Sequence, residues 1–468
     1  MKLLFAASEI FPYAKSGGLA DVAASLPKAL EPYLDVYSVM PLYRFMDTHL
    51  FSRCEMTFDV VFENINYKVA LYLKERTYFI QAPLLSTTPH MYGENTKAYD
   101  NNDLRFGIFS RAIVLLAEYL HVDILHLNDW HTGLAALWIK QKRSPIKTLF
   151  SIHNLAYQGL FSTDTLKRLE IPKEHFTMDR LEFYNQVSFI KAGIAYADAI
   201  TTVSPHYAKE ILTPQFGCGL EGFLQQHRHK LTGILNGIDT TLFDPAHDAS
   251  LLHCFDATKL GEKYKNKAAL YKALYNKAPD LPLFVMVSRL AHQKGVDLLL
   301  QTLPQLLQKP LHLMILGDEG GDYVKALKHY AKTHRNMTLH IGFDETLSHR
   351  IYASADFLLM PSLFEPCGLN QMIAMRYGAI PIVHDVGGLH DTVHHEPNRC
   401  GQGIRFNTPT PHALTLAINK ALKLSQAQRK QMQQFNMKCD FSFAPGAQAY
   451  HTLYHSLLKR DRHATPTS

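Results

Sequence analysis

Short apolar runs bounded by turn residues alternate with segments whose apolar positions recur every three or four residues along most of the 468-residue chain. This alternation predicts repeated β-α units, because each parallel strand needs a crossover, usually a helix, before the next. In the first half it places strands at Lys2–Ala7, Val122–Leu127, Thr148–Ile152, Ala199–Val203 and Gly233–Leu235. The pattern then restarts, predicting strands at Leu283–Val287, Leu311–Leu316, Thr338–Ile341, Phe357–Met360 and Ile380–Val383. Turn residues in Asn236-Gly237-Ile238-Asp239 and Phe243-Asp244-Pro245 interrupt the rhythm, which sets an expected boundary near residue 245. The fold class expected is α/β, with two doubly wound, Rossmann-like parallel-sheet domains over residues 1–245 and 246–445. Tyr450, Leu453, Tyr454 and Leu457 recur at helical spacing, so residues 446–468 are expected to form a last helix, packing back on the first domain, and a frayed tail from His463 to Ser468. No internal repeat or low-complexity segment is visible.

Composition narrows the function classes. Apolar residues make up 47 % and charged residues 19 %, a balance that builds large cores and sits far from that of disordered chains. Lys plus Arg exceed Asp plus Glu by 48 − 42 = 6, a mild excess suited to a small anionic ligand and not to coating nucleic acid. No run of about 18 apolar residues occurs, so no membrane span is expected. The N-terminal MKLLFAASEI reads as a buried strand, since Glu9 and Phe11-Pro12-Tyr13 cut it short of a secretory h-region. The six cysteines (Cys54, Cys218, Cys254, Cys367, Cys400, Cys439) form no C-x-x-C pair, which argues against a disulfide framework or zinc site and for a cytoplasmic location. His394-His395 and most of the 26 histidines stand in polar stretches and read as solvated surface, not metal ligands.

Ligands of open α/β sheets bind beyond the carboxyl ends of the strands, so motifs there carry the most weight. Lys15-Ser16-Gly17-Gly18-Leu19-Ala20-Asp21 follows the first strand and leads into a helix with Leu19, Val22, Leu26 and Leu30 on one face. Paired glycines let backbone N–H groups approach a phosphate that Lys15 also reaches; the alternative is an ordinary β-α turn, and the Walker order is absent. Asp129-Trp130-His131 and His153-Asn154 end two further strands and are expected to converge on one cleft, although Asp129 and Asn154 are also good helix caps and His131 a packing residue. Arg289 and Lys294 have the chemistry of a diphosphate clamp, with solvated surface cations as the alternative. In Ser362–Gln371, Pro366 and Gly368 shape a tight turn before a helix and leave Glu365 to accept from sugar hydroxyls, unless it is a buried structural residue. Gly387-Gly388 opens the next helix.

Gly217-Cys218-Gly219-Leu220-Glu221-Gly222 matches G-x-G-x-x-G, but Leu212-Thr213-Pro214-Gln215 before it is no strand, which argues against dinucleotide binding. Paired aspartates one residue apart, Gly-x-Ser-x-Gly and His-Glu-x-x-His are all absent. No metal site is therefore expected, nor any other cofactor.

The segments KSGGLADV, NDWHTGLAA, SIHNLAYQG, GILNGID, SRLAHQKG and FEPCGLNQ, in this order, resemble the bacterial glycogen synthase and plant starch synthase family over nearly the whole chain. The resemblance implies the GT-B fold, an active site in the cleft between its domains, and retaining transfer of glucose from a nucleotide diphosphate, usually ADP-glucose, to the non-reducing end of an α-1,4-glucan such as glycogen. It also implies site roles. Lys15, Gly17 and Gly18 would meet the donor's phosphates and sugar, and Arg289 and Lys294 the diphosphate. The Gly368-Leu369 helix start would add N–H donors, and Glu365 would hold glucose hydroxyls. His153, Asp129 and Asn236 would line the reacting sugar and the acceptor, while Asp21, Asn154 and Cys367 complete the substrate-binding set. Leu363 stands where the family usually has Arg, and Asn370 and Ala379 where it often has Thr, which bears on nucleotide choice and rate. Two alternatives stand beside this: a related enzyme with another nucleotide sugar or a small acceptor, and a noncatalytic glucan-binding homologue.

Overall fold

Leu3, Leu4, Phe5 and Ala6 have no exposed surface, the burial of a strand covered on both faces, as a parallel sheet with helices on either side requires. The computed structural model describes residues 1–94, 97–275, 281–318, 321–342, 344–396 and 399–460; the expected frayed tail lies outside them. The chain divides into two units, 1–203, 208–234 and 443–468 in the first, and 204–207 with 235–442 in the second. The passage into the second unit thus falls at Leu235, earlier than the expected boundary near 245.

The sheet of the first unit runs Leu231–Gly233, Ala199–Thr202, Lys147–Ile152, Ile124–Asn128, Lys2–Ala6, Asp35–Pro41, Thr77–Gln81, Ile65–Lys74, Ser52–Phe62. All neighbours are parallel as far as Thr77–Gln81; the last two strands are antiparallel. The expected parallel sheet thus carries an antiparallel pair at one edge, which the sequence pattern did not place. Ser52–Phe62 buries its residues alternately, with Arg53, Glu55 and Asp59 on the exposed side, so it shows no continuous apolar run, and an antiparallel edge needs none. Its hairpin partner follows through Glu63-Asn64, both at positive φ (49° and 62°), as a two-residue turn demands.

Helix Gly18–Leu30 sets Leu19, Val22, Leu26 and Leu30 into this unit's core. So does the last helix, Ala444–Arg460, through Tyr450, Tyr454 and Leu457. It is also tied by polar contacts: the Tyr454 hydroxyl meets His126 Nδ1 at 2.7 Å, and His126 Nε2 meets Ser151 Oγ at 2.6 Å. Burial holds the His126 pKa well below the usual imidazole value, so the ring is neutral and bridges helix to sheet without a charge to bury.

In the second unit six parallel strands run in the order Met337–Ile341, His312–Asp318, Leu283–Arg289, Phe357–Met360, Ile380–His384, Ile404–Phe406. One expectation fails here and a second fails in part. Cys400 and Cys439 are joined as a disulfide; Gln402 and Asn436 exchange hydrogen bonds at 2.7 and 2.8 Å, which brings two cysteines distant in sequence side by side. His394 is buried, because it bridges to Gln402 inside the fold, whereas His395 is exposed as expected; His126, His131, His175, His312, His349 and His384 are buried too, a minority of the 26. Among the described residues no helix is long and apolar enough to cross a membrane.

Candidate active site

Both sheets reverse their winding beside one strand. In the first, the chain goes outward from Lys2–Ala6 on one side through Asp35–Pro41, then on the other through Ile124–Asn128. In the second the reversal lies between Leu283–Arg289 and Phe357–Met360. At such a switch point successive loops diverge and open a crevice beyond the strand ends. Of the expected site residues, Lys15, Gly17, Gly18, Asp21 and Asp129 follow the strands at the first switch point, and Arg289, Lys294, Glu365, Cys367, Gly368 and Leu369 end or follow those at the second. His153 and Asn154 instead follow the next strand, Lys147–Ile152, and Asn236 the edge strand Leu231–Gly233.

In the first unit the residues after Ala6, Asn128 and Ile152 interlock. Asp129, forced to φ 56°, does not cap a helix; its carboxylate accepts the His153 backbone N–H at 2.8 Å and that of Asn154. Asn128 Nδ2 donates to Ala6 O at 2.9 Å, which leaves its Oδ1 to accept from His153 Nε2 at 2.8 Å. His153 therefore carries its proton on Nε2, and burial pulls its pKa down to about 4, so the ring is neutral near pH 7 with Nδ1 unprotonated. Asn154 Oδ1 accepts from Ala156 N at 3.1 Å and shapes its own turn. His131 takes its packing alternative, stacked 4.0 Å from Trp130 and edge-on to Phe106.

The glycine loop is fastened by a residue that the sequence reading used only as an interruption. Glu9 Oε2 accepts Ser16 N–H at 2.5 Å. Burial raises the Glu9 pKa from 4.5 to about 7, with the Asp21 charge adding to the rise, and that of Asp129 from 3.8 to about 7, with the Glu9 charge adding to it. Gly17 is extended, and a Cβ there would meet nothing closer than Glu9 Oε1 at 4.0 Å, so open space lies over this backbone. Lys15 ion-pairs with Asp21 at 2.7 Å, which joins the loop's cation to the first turn of helix Gly18–Leu30. Tyr92 meets Ser8 Oγ at 2.8 Å, and Tyr43 donates to Ser8 O at 2.8 Å. Glu9, Ser8 and Tyr92 were missed; an acid three residues past a buried strand was the one available signal.

In the second unit Arg289 ends the strand Leu283–Arg289. Lys294 Nζ lies 2.6 Å from Glu365 Oε2, and Ser362 Oγ donates to the same oxygen at 3.0 Å. The loop carrying Lys294 and the loop carrying Glu365 are held in register by Leu363 N donating to Gln293 O at 2.9 Å. Gly368, at φ 70°, turns the chain into helix Asn370–Arg376, with Leu369 at its N-cap. Gly388 N–H donates back to Glu365 O at 3.0 Å, so the Gly387-Gly388 turn braces Glu365 from behind. The Asn236 backbone N–H bonds to the Cys367 sulfur, whose thiol burial pushes up to about 12, an inert group. Gln371, also missed, ties Cys367 O, Gly368 O and Thr392 together. Among the described residues there is no group of three or more His, Cys, Asp or Glu able to hold a metal. The segment before Gly217 is a series of turns, as expected.

Residues 2–226 match the family described as starch synthase catalytic domain, and residues 270–438 match glycosyl transferases group 1. The chain is 41 % identical to a glycogen synthase of Anaeromyxobacter sp. over 98 % of its own length and 99 % of the relative's. It is 40 % identical to one from Moorella thermoacetica, covering 99 % and 98 %. Among solved structures it is similar to the catalytic domain of starch synthase IV from Arabidopsis thaliana bound to ADP and acarbose, at a TM-score of 0.88, 31 % identity and coverage of 98 % and 99 %. The sucrose-phosphate synthase of Thermosynechococcus elongatus, at 18 % identity and a TM-score of 0.64 over 98 % and 99 %, shares the GT-B fold.

Proposed function

The chain belongs to the glycogen synthase family, and from that premise we propose that it transfers glucose from ADP-glucose to the non-reducing end of an α-1,4-glucan with retention of configuration. The observation that carries this reading is the Lys294–Glu365 pair, 2.6 Å apart at the end of a parallel sheet. A nucleotide sugar presents a diphosphate bonded directly to a polyhydroxylated ring, and it calls for a cation next to a carboxylate. The solved relative from Arabidopsis, bound to ADP, supports the adenine nucleotide as donor.

In the proposed reaction the bond from the anomeric carbon to the diphosphate oxygen breaks, and negative charge grows on the departing ADP. Arg289 and Lys294 offset it, together with N–H groups of the Gly368-Leu369 turn. The acceptor hydroxyl attacks from the face that ADP leaves and passes its proton to the departing phosphate, so configuration is retained without a second carboxylate. Glu365 accepts from the glucose hydroxyls. Within the first unit, Lys15, Asp21, Gly17 and Gly18 serve donor binding, and Asp129, His153 and Asn154 line the sugar. A neutral His153 adds no positive charge beside the oxocarbenium-like centre.

Radiolabelled ADP-glucose and UDP-glucose, each supplied with glycogen, test the reading. Label from ADP-glucose in precipitable glucan is the expected result. Comparable or greater activity with UDP-glucose overturns the donor, label confined to small soluble products overturns the acceptor, and no transfer from either overturns catalysis. Lys15, Arg289 and Lys294 supply the offsetting charge, so activity should survive EDTA; loss restored by Mg²⁺ or Mn²⁺ would overturn that assignment.

A further inference from the structure

Glu182–Phe183 and Gln186–Ser188 form a hairpin in the first unit whose tip is Tyr184-Asn185. Both tip residues have positive φ (46° and 61°), a conformation natural to Asn and strained for a bulky aromatic residue. Even so, Tyr184 is 79 % exposed, so core burial does not account for its place. Such an outlier is a reason to look for function.

The ring is braced. It meets Phe183 edge-on at 4.8 Å, and the backbone of Gly219, at φ 80°, lies against both rings: a Cβ there would stand 3.2 Å from Phe183 Cζ and 3.7 Å from Tyr184 Cε2. This accounts for the middle glycine of the Gly217–Gly222 motif, which looked like a dinucleotide fingerprint. The hairpin is also tied to the segment that follows His153. Gln158 Nε2 donates to Cys218 O at 2.9 Å, next to Gly219, and Gln158 O accepts from Ile190 N at 3.1 Å, just past the hairpin's second strand. On that same segment Tyr157 is a second half-exposed ring. A solvent-facing aromatic ring, packed on one side against Phe183 and Gly219 and carried by a hairpin whose flanking segments are hydrogen-bonded to the stretch after His153, suits a chain of pyranose units, whose C–H faces stack on aromatic faces.

We propose that Tyr184 is a stacking subsite for α-1,4-glucan units beyond those at the reacting end, so that it selects for long acceptors. The proposal rests on the glucan-elongating reading above. Its test is a comparison of Tyr184→Ala, Tyr184→Gly and Tyr184→Phe with wild type; Gly relieves the positive φ, so it guards against a misfolded tip. The ratio of KM for glycogen to KM for maltotriose should rise about five- to tenfold in the Ala and Gly variants and stay near wild type in the Phe variant. Without donor, the Ala and Gly variants should lose most of the retardation that wild type shows in native gels containing glycogen. An unchanged ratio and unchanged retardation in both variants, or a wild type that glycogen does not retard, would overturn the subsite. Wild type that is retarded but transfers no glucose would instead overturn the proposed reaction and leave the subsite standing.

Discussion

Replacing Lys294 by Ala separates two consequences of one contact. Lys294 Nζ lies 2.6 Å from Glu365 Oε2, and the two side chains are 19 % and 7 % exposed. Breaking a fully buried pair from one side costs about 3–5 kcal/mol, because the remaining charge stays out of water. Lys294 keeps some solvent contact, so the expected loss is smaller, about 2–3 kcal/mol. With a urea slope of about 2–3 kcal/mol/M that is a fall of roughly 1 M in the unfolding midpoint. The catalytic effect has a different origin: removing one preorganised donor from a developing anion costs about 10²–10³ in rate. The double variant Lys294→Ala/Glu365→Gln distinguishes them, since a neutral amide needs no counter-charge. Its stability should return to within about 1 kcal/mol of wild type while kcat stays low. Initial rates at saturating ADP-glucose, taken beside urea unfolding of the same preparations, read both. A kcat in Lys294→Ala within about twofold of wild type would reduce Lys294 to a structural counter-ion and refute the transition-state argument.

Glu9→Gln tests the buried carboxyl under the glycine loop. A carboxyl raised from 4.5 to about 7 on folding favours the folded state below its unfolded pKa and loses that contribution as pH climbs through its folded one. The Gln variant, which keeps an acceptor for Ser16 N–H, should thus gain in thermal midpoint relative to wild type between roughly pH 5 and pH 8; a constant difference over that range would sink the argument. Gly17→Ala should unfold within about 0.5 kcal/mol of wild type, because its Cβ finds nothing nearer than 4.0 Å, yet lose donor affinity; retained affinity would show that no ligand approaches this backbone. Thiol titration of the chain unfolded without reductant should find four reactive groups, Cys54, Cys218, Cys254 and Cys367, and six would refute the Cys400–Cys439 bond. Closing that 39-residue separation is worth about 4 kcal/mol on the chain-entropy estimate.

Buried parallel strands were legible because both their faces are apolar, and Phe357–Met360 matches its expected bounds. The antiparallel edge was not, since Arg53, Glu55 and Asp59 dilute a pattern that only the alternate residues carry. Candidate site residues could be placed from sequence where they follow a strand in a short motif, as Asp129, His153 and Glu365 do. Asn128 acts through Ala6 and His153, distant in sequence, and spacing along the chain holds no trace of such contacts; Glu9 reaches Ser16 only seven residues on, but a lone acid in a loop has no pattern that marks it as a brace. The disulfide was hidden for the same reason: its cysteines are neighbours only after Gln402 meets Asn436.

The last helix completes the core of the first unit, although the 208 residues Leu235–Ser442 of the second unit precede it. During vectorial synthesis at about 5–20 residues per second, the nascent first unit would wait roughly 10–40 s for Tyr450, Tyr454 and Leu457. Through that interval the core those three residues share is incomplete, and His126 lacks both the Tyr450 and Tyr454 rings and the Tyr454 hydroxyl. A ribosome that stalls or terminates in the distal part of the message therefore releases a product whose defect lies in its oldest segment, and quality control would meet it as an unfinished N-terminal body. Fusions and truncations at the carboxyl end act on the same place.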